Sequence, residues 1–289
     1  LARGIDHLVI AVRHLDLARA AYHRLGFRLT PEAHHPFGTK NSLVQLDQSF
    51  LELVAINDPA TIPEPGPAFF SFAAFNRDFL KTHEGLSMLA LKSGDANIDM
   101  ADFATHGLRT YAPVHFERIA HAPDGTAKKV AFTMTFTGDE QIRENGFFTC
   151  QHHYPGNFWR PEYQSHANGA RKVRSVVAVA GDPEGMRDFL TRFTGVTDVK
   201  SSGDCLVLDT GDGMIEVMTP VRFGAMFGGA LAADVVPRLV ASVIEVADLE
   251  VARTFLTRNG VAFEERAGRL VVPEAESSGI QIAFVGSNS

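Results

Sequence analysis

The chain repeats itself. Four times a short apolar run is followed by Asp, then a helix-like stretch, then Gly and a further apolar residue: Asp16 to Gly26, Asp95 to Gly107, Asp182 to Gly195 and Asp248 to Gly260. Such a period constrains the fold more than any local propensity, because it fixes how many units must pack together. Each Asp can cap a helix by accepting from its first orphan amides, and each Gly suits the left-handed residue that ends a helix. Tyr22, Phe103, Phe189 and Phe255 take similar places between them and read as core residues. The runs before each Asp, Ile5–Val12, Leu86–Leu91, Ser175–Ala180 and Val240–Val246, are rich in Val, Ile and Leu and read as strands. Strand-like pieces follow each Gly: Phe27–Thr30, Ser42–Leu46 and Phe50–Ile56 in the first copy, Val196–Lys200, Cys205–Asp209 and Met214–Met218 in the third, Ala262–Glu265, Leu270–Val272 and Ile280–Val285 in the fourth. The second copy is the longest and least regular, with strands at Val130–Thr137 and Gly146–His153 and a hairpin turn at Asp124-Gly125. A lone strand–helix–three-strand unit leaves one sheet face bare, and pairing two units buries it. The expected class is α+β, with four βαβββ modules paired into two open, cupped, mixed β-sheet barrels and flanking helices.

Composition removes several function classes. At 289 residues the chain is the size of two average domains, and the prolines and glycines of Tyr154 to Arg171 place a linker between residues 1–160 and 161–289. A net charge of −7 with singly scattered Lys and Arg gives no footprint for nucleic acid. Cys150 and Cys205 form neither a disulfide framework nor a Cys-x-x-Cys site, which fits a reducing, cytoplasmic setting. The longest apolar stretches, such as Leu239 to Val246, are too short and too interrupted to cross a membrane, and no phosphate loop, nucleophile elbow or dinucleotide fingerprint points to a nucleotide cofactor or serine hydrolysis. Pro59 to Pro67 is a loop, and the aromatics Phe69, Phe70, Phe72 and Phe75 behind it cover an apolar surface.

Two polar residues sit where polar residues are costly. His7 alternates with Ile5, Val9 and Ala11 on one face of a first strand whose other face, Leu8, Ile10 and Val12, also looks buried. Glu52 lies inside Phe50-Leu51-Glu52-Leu53-Val54-Ala55, and a carboxylate in such a run must be paired or coordinate a metal.

The segment GIDHLVIAVRHLDLARAAYHRLGF, followed by FLELVAI, resembles the first module of the vicinal oxygen chelate superfamily, which includes glyoxalase I, extradiol dioxygenases and bleomycin-resistance proteins. HPFGTKNSLVQL, TCQHHYP and WRPEYQSHANGA are similar to a glyoxalase-like subfamily within it. The resemblance implies a cup holding one divalent metal, whose open positions chelate vicinal oxygens of a small-molecule substrate. His7 then matches the first-strand metal ligand and Glu52 the last-strand glutamate, and a mixed nitrogen and oxygen site suits Zn, Fe, Mn, Ni or Co better than Mg. The second module departs from the pattern. Its first strand offers only Leu86 or Ser87, with His83 reachable only by a different backbone course. Its last strand offers Cys150 and His152 on one face and Thr149, Gln151 and His153 on the other. His152 is the first choice for a third ligand and Gln151 the alternative.

By the same resemblance the loop of His34, His35, Gly38, Thr39 and Asn41 lies near the cup mouth. Thr39 and Asn41 can there bond substrate oxygens, while Trp159 and Arg160 close the pocket by stacking and by binding a carboxylate. His153 or His35 supplies a base. Glu216 echoes Glu52 without a histidine beside it, pairs instead with Arg174, and leaves a metal-free second half to pack the first or make a homodimer. The function expected is isomerase, lyase or dioxygenase chemistry at a metal, and the alternative is a non-catalytic binding or resistance protein. The altered ligand set departs from both extradiol dioxygenases and glyoxalase I.

Overall fold

In the computed structural model residues 2–121 and 125–287 are described, so Asp124 of the expected hairpin turn lies outside the described residues. The first half runs β1 (Ile5–Ala11), α1 (Leu15–Arg24), β2 (Ala33–His34), β3 (Thr39–Gln45), β4 (Phe50–Ile56), α2 (Phe72–Phe79), β5 (Gly85–Ser93), α3 (Ala96–Thr105), β6 (Val114–His121), β7 (Ala127–Thr137) and β8 (Gly146–His152). A short α4 (Pro155–Phe158) leads to β9 (Ala170–Val179), α5 (Arg187–Thr194), β10 (Val199–Ser201), β11 (Cys205–Asp209), β12 (Met214–Met218) and α6 (Pro220–Phe227). The last copy is β13 (Arg238–Val246), α7 (Leu249–Arg258), β14 (Glu264–Arg266), β15 (Arg269–Val272) and β16 (Gln281–Gly286). The strands form two eight-stranded mixed sheets, ordered β2-β3-β4-β1-β5-β8-β7-β6 and β10-β11-β12-β9-β13-β16-β15-β14. In each, the opening strands of two modules pair antiparallel at the centre, β1 with β5 and β9 with β13, and each pairs in parallel with the last strand of its own module. This is the expected α+β class of four βαβββ modules in two pairs.

The repeat's punctuation has a physical counterpart. Gly26, Gly107, Gly195 and Gly260 all have positive φ. Asp95 and Asp248 cap α3 and α7, and Asp182 caps the 3-10 turn that enters α5. Asp16 does not cap: α1 begins at Leu15 behind His14, leaving Asp16 inside the first turn, where it acts on the helix dipole alone. Phe27–Thr30 is not a strand either, but a loop whose Thr30 bonds the backbone of Leu43 and the hydroxyl of Ser42.

One apolar core spans both halves. Leu8, Ile10, Leu51 and Leu53 of the first sheet belong to the same buried cluster as Val176, Ala178, Ile215 and Val217 of the second, with Tyr22, Phe103, Phe189 and Phe193 from the helices. Burying each such side chain is worth about 1.5–3 kcal/mol, so the sheets' outer faces hold the halves together. Their inner faces form two separate clusters. In the second cup, Phe223 and Phe227 of α6 stack 4.8 Å apart and fill the interior.

Where the halves meet, two backbones pass with no room for a side chain. A Cβ on Gly85 would lie 2.3 Å from the Gly279 carbonyl oxygen, and one on Gly279 would lie 2.1 Å from that of Glu84. Both residues also have positive φ. Gly279→Ala is expected to destabilise the protein by ~2–4 kcal/mol in urea unfolding, whereas Gly203→Ala, a positive-φ glycine with open space around it, costs about 1 kcal/mol. Equal losses in the two variants would show that the close approach itself is not a constraint.

Candidate metal centre in the first cup

β1 pairs β4 in register, placing His7 opposite Phe50 and Val9 opposite Glu52. Against β5 the register slips between Ile5 and His7, and the extra residue is Asp6. Such a bulge re-aims side chains. Ile5 joins Leu8, Ile10 and Val12 on the outer face rather than sharing a face with His7 as strict alternation requires. Asp6 and His7 are both buried and bonded to each other, with His7 Nδ1 2.5 Å from Asp6 Oδ1. The other ring nitrogen, Nε2, faces Glu52 Oε2 at 3.6 Å. Phe50 stacks on the imidazole at 4.2 Å.

Glu52 is 6% exposed, and its carboxylate oxygens face the imidazoles of His7, at 3.6 Å, and His35, at 3.7 Å. Its Oε1 accepts from Asn41 Nδ2 at 2.6 Å. Burial pushes its pKa up, and His7, Asn41 and Arg118 offset that only in part. Burial acts against the charge of Asp6 too, but the rings of His152 and His7 outweigh it and hold that carboxyl well below the usual range.

β5 contributes no ligand. Met88 and Ala90 are its residues in the cup, while Leu86 joins the outer core and Ser87 donates to Asn76. His83 lies outside the cup beside Arg238. On β8 the cup-facing residues are Cys150 and His152, resolving which face is inward. Cys150 Sγ lies with donor atoms of Asp6 and His7 in a group whose members are all within 4.8 Å of one another. Burial, then Asp6 and Glu52, keep it a thiol in the absence of a cation. His152 points Nε2 at the Asp6 carboxylate, at 3.1 and 3.2 Å, and its Nδ1 is buried without a partner. Gln151 faces the other way: it accepts from the amide of Ala96 and donates to the Gly94 carbonyl, steadying the start of α3. His153 is exposed on that same outer side, against Thr133 and His115.

The loop residues do converge. His35 and Thr39 are buried, and His35 Nδ1 donates to Thr39 Oγ1 at 2.8 Å while its Nε2 accepts from Asn41 at 3.2 Å. Burial, aided by Arg118, His34 and His7, pushes His35 down to about 3. Its ring therefore stays neutral near pH 7, where it is a weak base. Trp159 stacks parallel to His152 at the rim, 6.1 Å away. Arg160 turns to a neighbouring groove of about 320 Å3. Phe37, Phe50, Phe72, Phe116, Phe132 and Phe158 line the cup, in which about 30 Å3 is left free, room for about two waters. The groups fit a divalent ion. A nitrogen and a carboxylate oxygen face each other with a thiol nearby, and Asn41 Oδ1 and His152 Nδ1 are buried and unpartnered.

Sequence reasoning missed Asp6, Cys150 as a donor, and Arg118, which lines the cup from β6. Asp6 adjoined a candidate ligand in the sequence and could have been flagged as a second charge on an apolar strand. Arg118 carried no signal. The second cup keeps the geometry without the chemistry. Val177 pairs Glu216 as Val9 pairs Glu52, so Ser175 stands where His7 does, and its hydroxyl donates to Glu216 at 2.5 Å. Arg174 pairs Glu245, at 3.2 Å, in place of the expected Glu216.

One pH dependence follows. Between pH 6.5 and about 3 the unfolded chain protonates His35 and the folded protein does not. Stability is thus complete above pH 6.5 and falls with pH by up to about 1.4 kcal/mol per unit from this group. His35→Gln should show a shallower loss than the parent in urea melts between pH 6.5 and 4, and parallel curves would count against a buried neutral imidazole.

Several solved structures share this architecture. A hypothetical protein from Staphylococcus aureus matches with a TM-score of 0.69 at 14% identity, over 98% of this chain and 99% of its own. A variant of 4-hydroxymandelate synthase from Streptomyces coelicolor has a TM-score of 0.59 at 8% identity, over 99% and 93% of the two chains. The Mn(II)-bound glyoxalase from Novosphingobium aromaticivorans gives 0.58 at 11% identity, over 100% and 84%. At these identities the likeness is one of fold. No curated protein matches the sequence. The model of the glyoxalase-like domain matches residues 5–194, most of the chain and all of the first cup, and the protein belongs to that family.

Proposed function

We propose that the protein is a metal-dependent enzyme that chelates a small oxygenated substrate in the first cup, with His7 and Glu52 as metal ligands and Cys150, grouped with Asp6 and His7, as a further donor. The observation that carries this reading is the 3.6 Å approach of His7 Nε2 to Glu52 Oε2, both groups buried, with Asp6 held on the other nitrogen of the same ring. A carboxylate on the far ring nitrogen is how metal-bound imidazoles are commonly oriented and made more basic. A divalent ion there would supply Lewis acidity, polarising a substrate oxygen, from which isomerase or lyase chemistry can proceed, whereas dioxygenase chemistry would need O2 and a redox-active ion such as Fe as well. The chain's own residues do the rest. Asp6 fixes the tautomer of His7, and Asn41 steadies Glu52 while leaving its own Oδ1 to accept from a substrate hydroxyl. The ring of phenylalanines limits the space beside the reacting atoms to about two waters.

Elemental mass spectrometry on tag-free protein tests the ligands directly. About one metal per chain is expected in the parent, with loss in folded His7→Ala and Glu52→Ala. A parent that stays metal-free after reconstitution with Fe, Zn, Mn, Ni and Co overturns the reading. Asp6→Asn keeps both ligands and removes the charge behind His7, so chelator competition should show roughly 10–100-fold weaker metal affinity. Unchanged affinity would mean that Asp6 serves only the fold.

A second reading, sequestration of an apolar compound without catalysis, draws support from the six phenylalanines of the cup. It requires aromatic ligands to raise the Tm equally in metal-loaded and chelator-treated protein.

A further inference from the structure

Among the described residues Arg118 is the one guanidinium lining the first cup, and it acts on Glu52 only through space. It lies on β6, partly buried, with Nε sealed from solvent and unpartnered, and it forms no ion pair among the described residues. Glu52 acts on it through space, but no carboxylate among the described residues lies within ion-pair distance, so an arriving anion would meet a guanidinium whose Nε is still unpaired. Arg118 also lines the groove beside the cup, together with Leu43 and Phe158, so its side chain stands between the two cavities. The groove is about 320 Å3 and carries a second guanidinium, Arg160, that likewise makes no ion pair among the described residues. The cup's 30 Å3 takes no organic body as it stands, whereas the groove is of the size that holds small ligands.

We propose that the substrate is a small carboxylate, with Arg118 as its specificity-determining residue. The carboxylate lies on the Arg118 fork at the passage between groove and cup. The apolar body rests against Leu43, Phe158 and Tyr163 in the groove. The ligand's other oxygens reach inward toward His7 and Glu52. The planar guanidinium suits two parallel hydrogen bonds to a carboxylate, which an ammonium gives less well. The assignment of the inward end rests on the metal reading above, but recognition by Arg118 does not, and the two can fail separately.

The test compares acetate, benzoate and 3-phenylpropionate with their neutral amides by calorimetry, on the parent, Arg118→Gln and Arg118→Lys. Each protein is used both chelator-treated and zinc-loaded, with metal content measured on the same samples. The parent is expected to bind at least one acid tenfold or more tightly than its amide. Arg118→Gln should lose that preference while keeping its metal, and Arg118→Lys should recover part of it. Acids that bind no better than their amides, no saturable binding of any acid at millimolar concentration, or a preference that survives in Arg118→Gln each overturn the proposal. If no protein takes up zinc yet the acid preference depends on Arg118, the metal reading fails and the carboxylate site stands.

Discussion

The first cup depends on one of the two slips in the pairing of β1 with β5. β1 lies at the centre of its sheet with both faces buried, so every polar group on it must be satisfied by neighbours. The bulge at Asp6 is what makes that feasible. It turns Ile5 outward into the shared core, and Asp6 sits within reach of two imidazoles, one from its own strand and one from β8. With regular pairing Asp6 would face the apolar layer between the halves, where an unpaired carboxylate costs several kcal/mol.

The two halves are the same architecture with different interiors. Both retain a glutamate at the matching point of the last strand in the leading module, and both pack their outer faces into one core. The second half replaces the histidine by Ser175, whose hydroxyl satisfies Glu216, and fills its interior with α6. The first keeps a lining of donors and aromatic rings around a small void. A filled cup and a hollow one thus share a common core, the first cup alone burying a group of Asp, His and Cys donors among the described residues.

The large-scale plan was legible because periodicity survives drift in individual residues. The four left-handed glycines and three of the four capping aspartates stand where the repeat put them, and His7 and Glu52 were visible as polar residues in apolar runs. What could not be read depended on register or on contacts far along the chain. Alternation alone cannot reveal a bulge, so Ile5 was placed on the wrong face and Asp6 passed unnoticed. The inward face of β8 was undetermined until its pairing with β7 was known, which separates Cys150 and His152 from Gln151 and His153. Arg118 looks like any arginine on an amphipathic strand, and only the approach of β6 to the groove makes it notable. Phe27–Thr30 had the composition of a strand but satisfies its backbone at Leu43 as a loop.

The chain has a single tryptophan, and the fold sets it parallel to the ring of His152, whose Nε2 faces the Asp6 carboxylate. Indole emission responds to the charge of a stacked imidazole and to the water around it. Trp159 is therefore an intrinsic optical gauge at the rim of the cup, connected through one ring to the carboxylate that orients His7. Events in a small interior of a few tens of cubic ångströms can be followed from outside, without a label and without knowledge of the ligand.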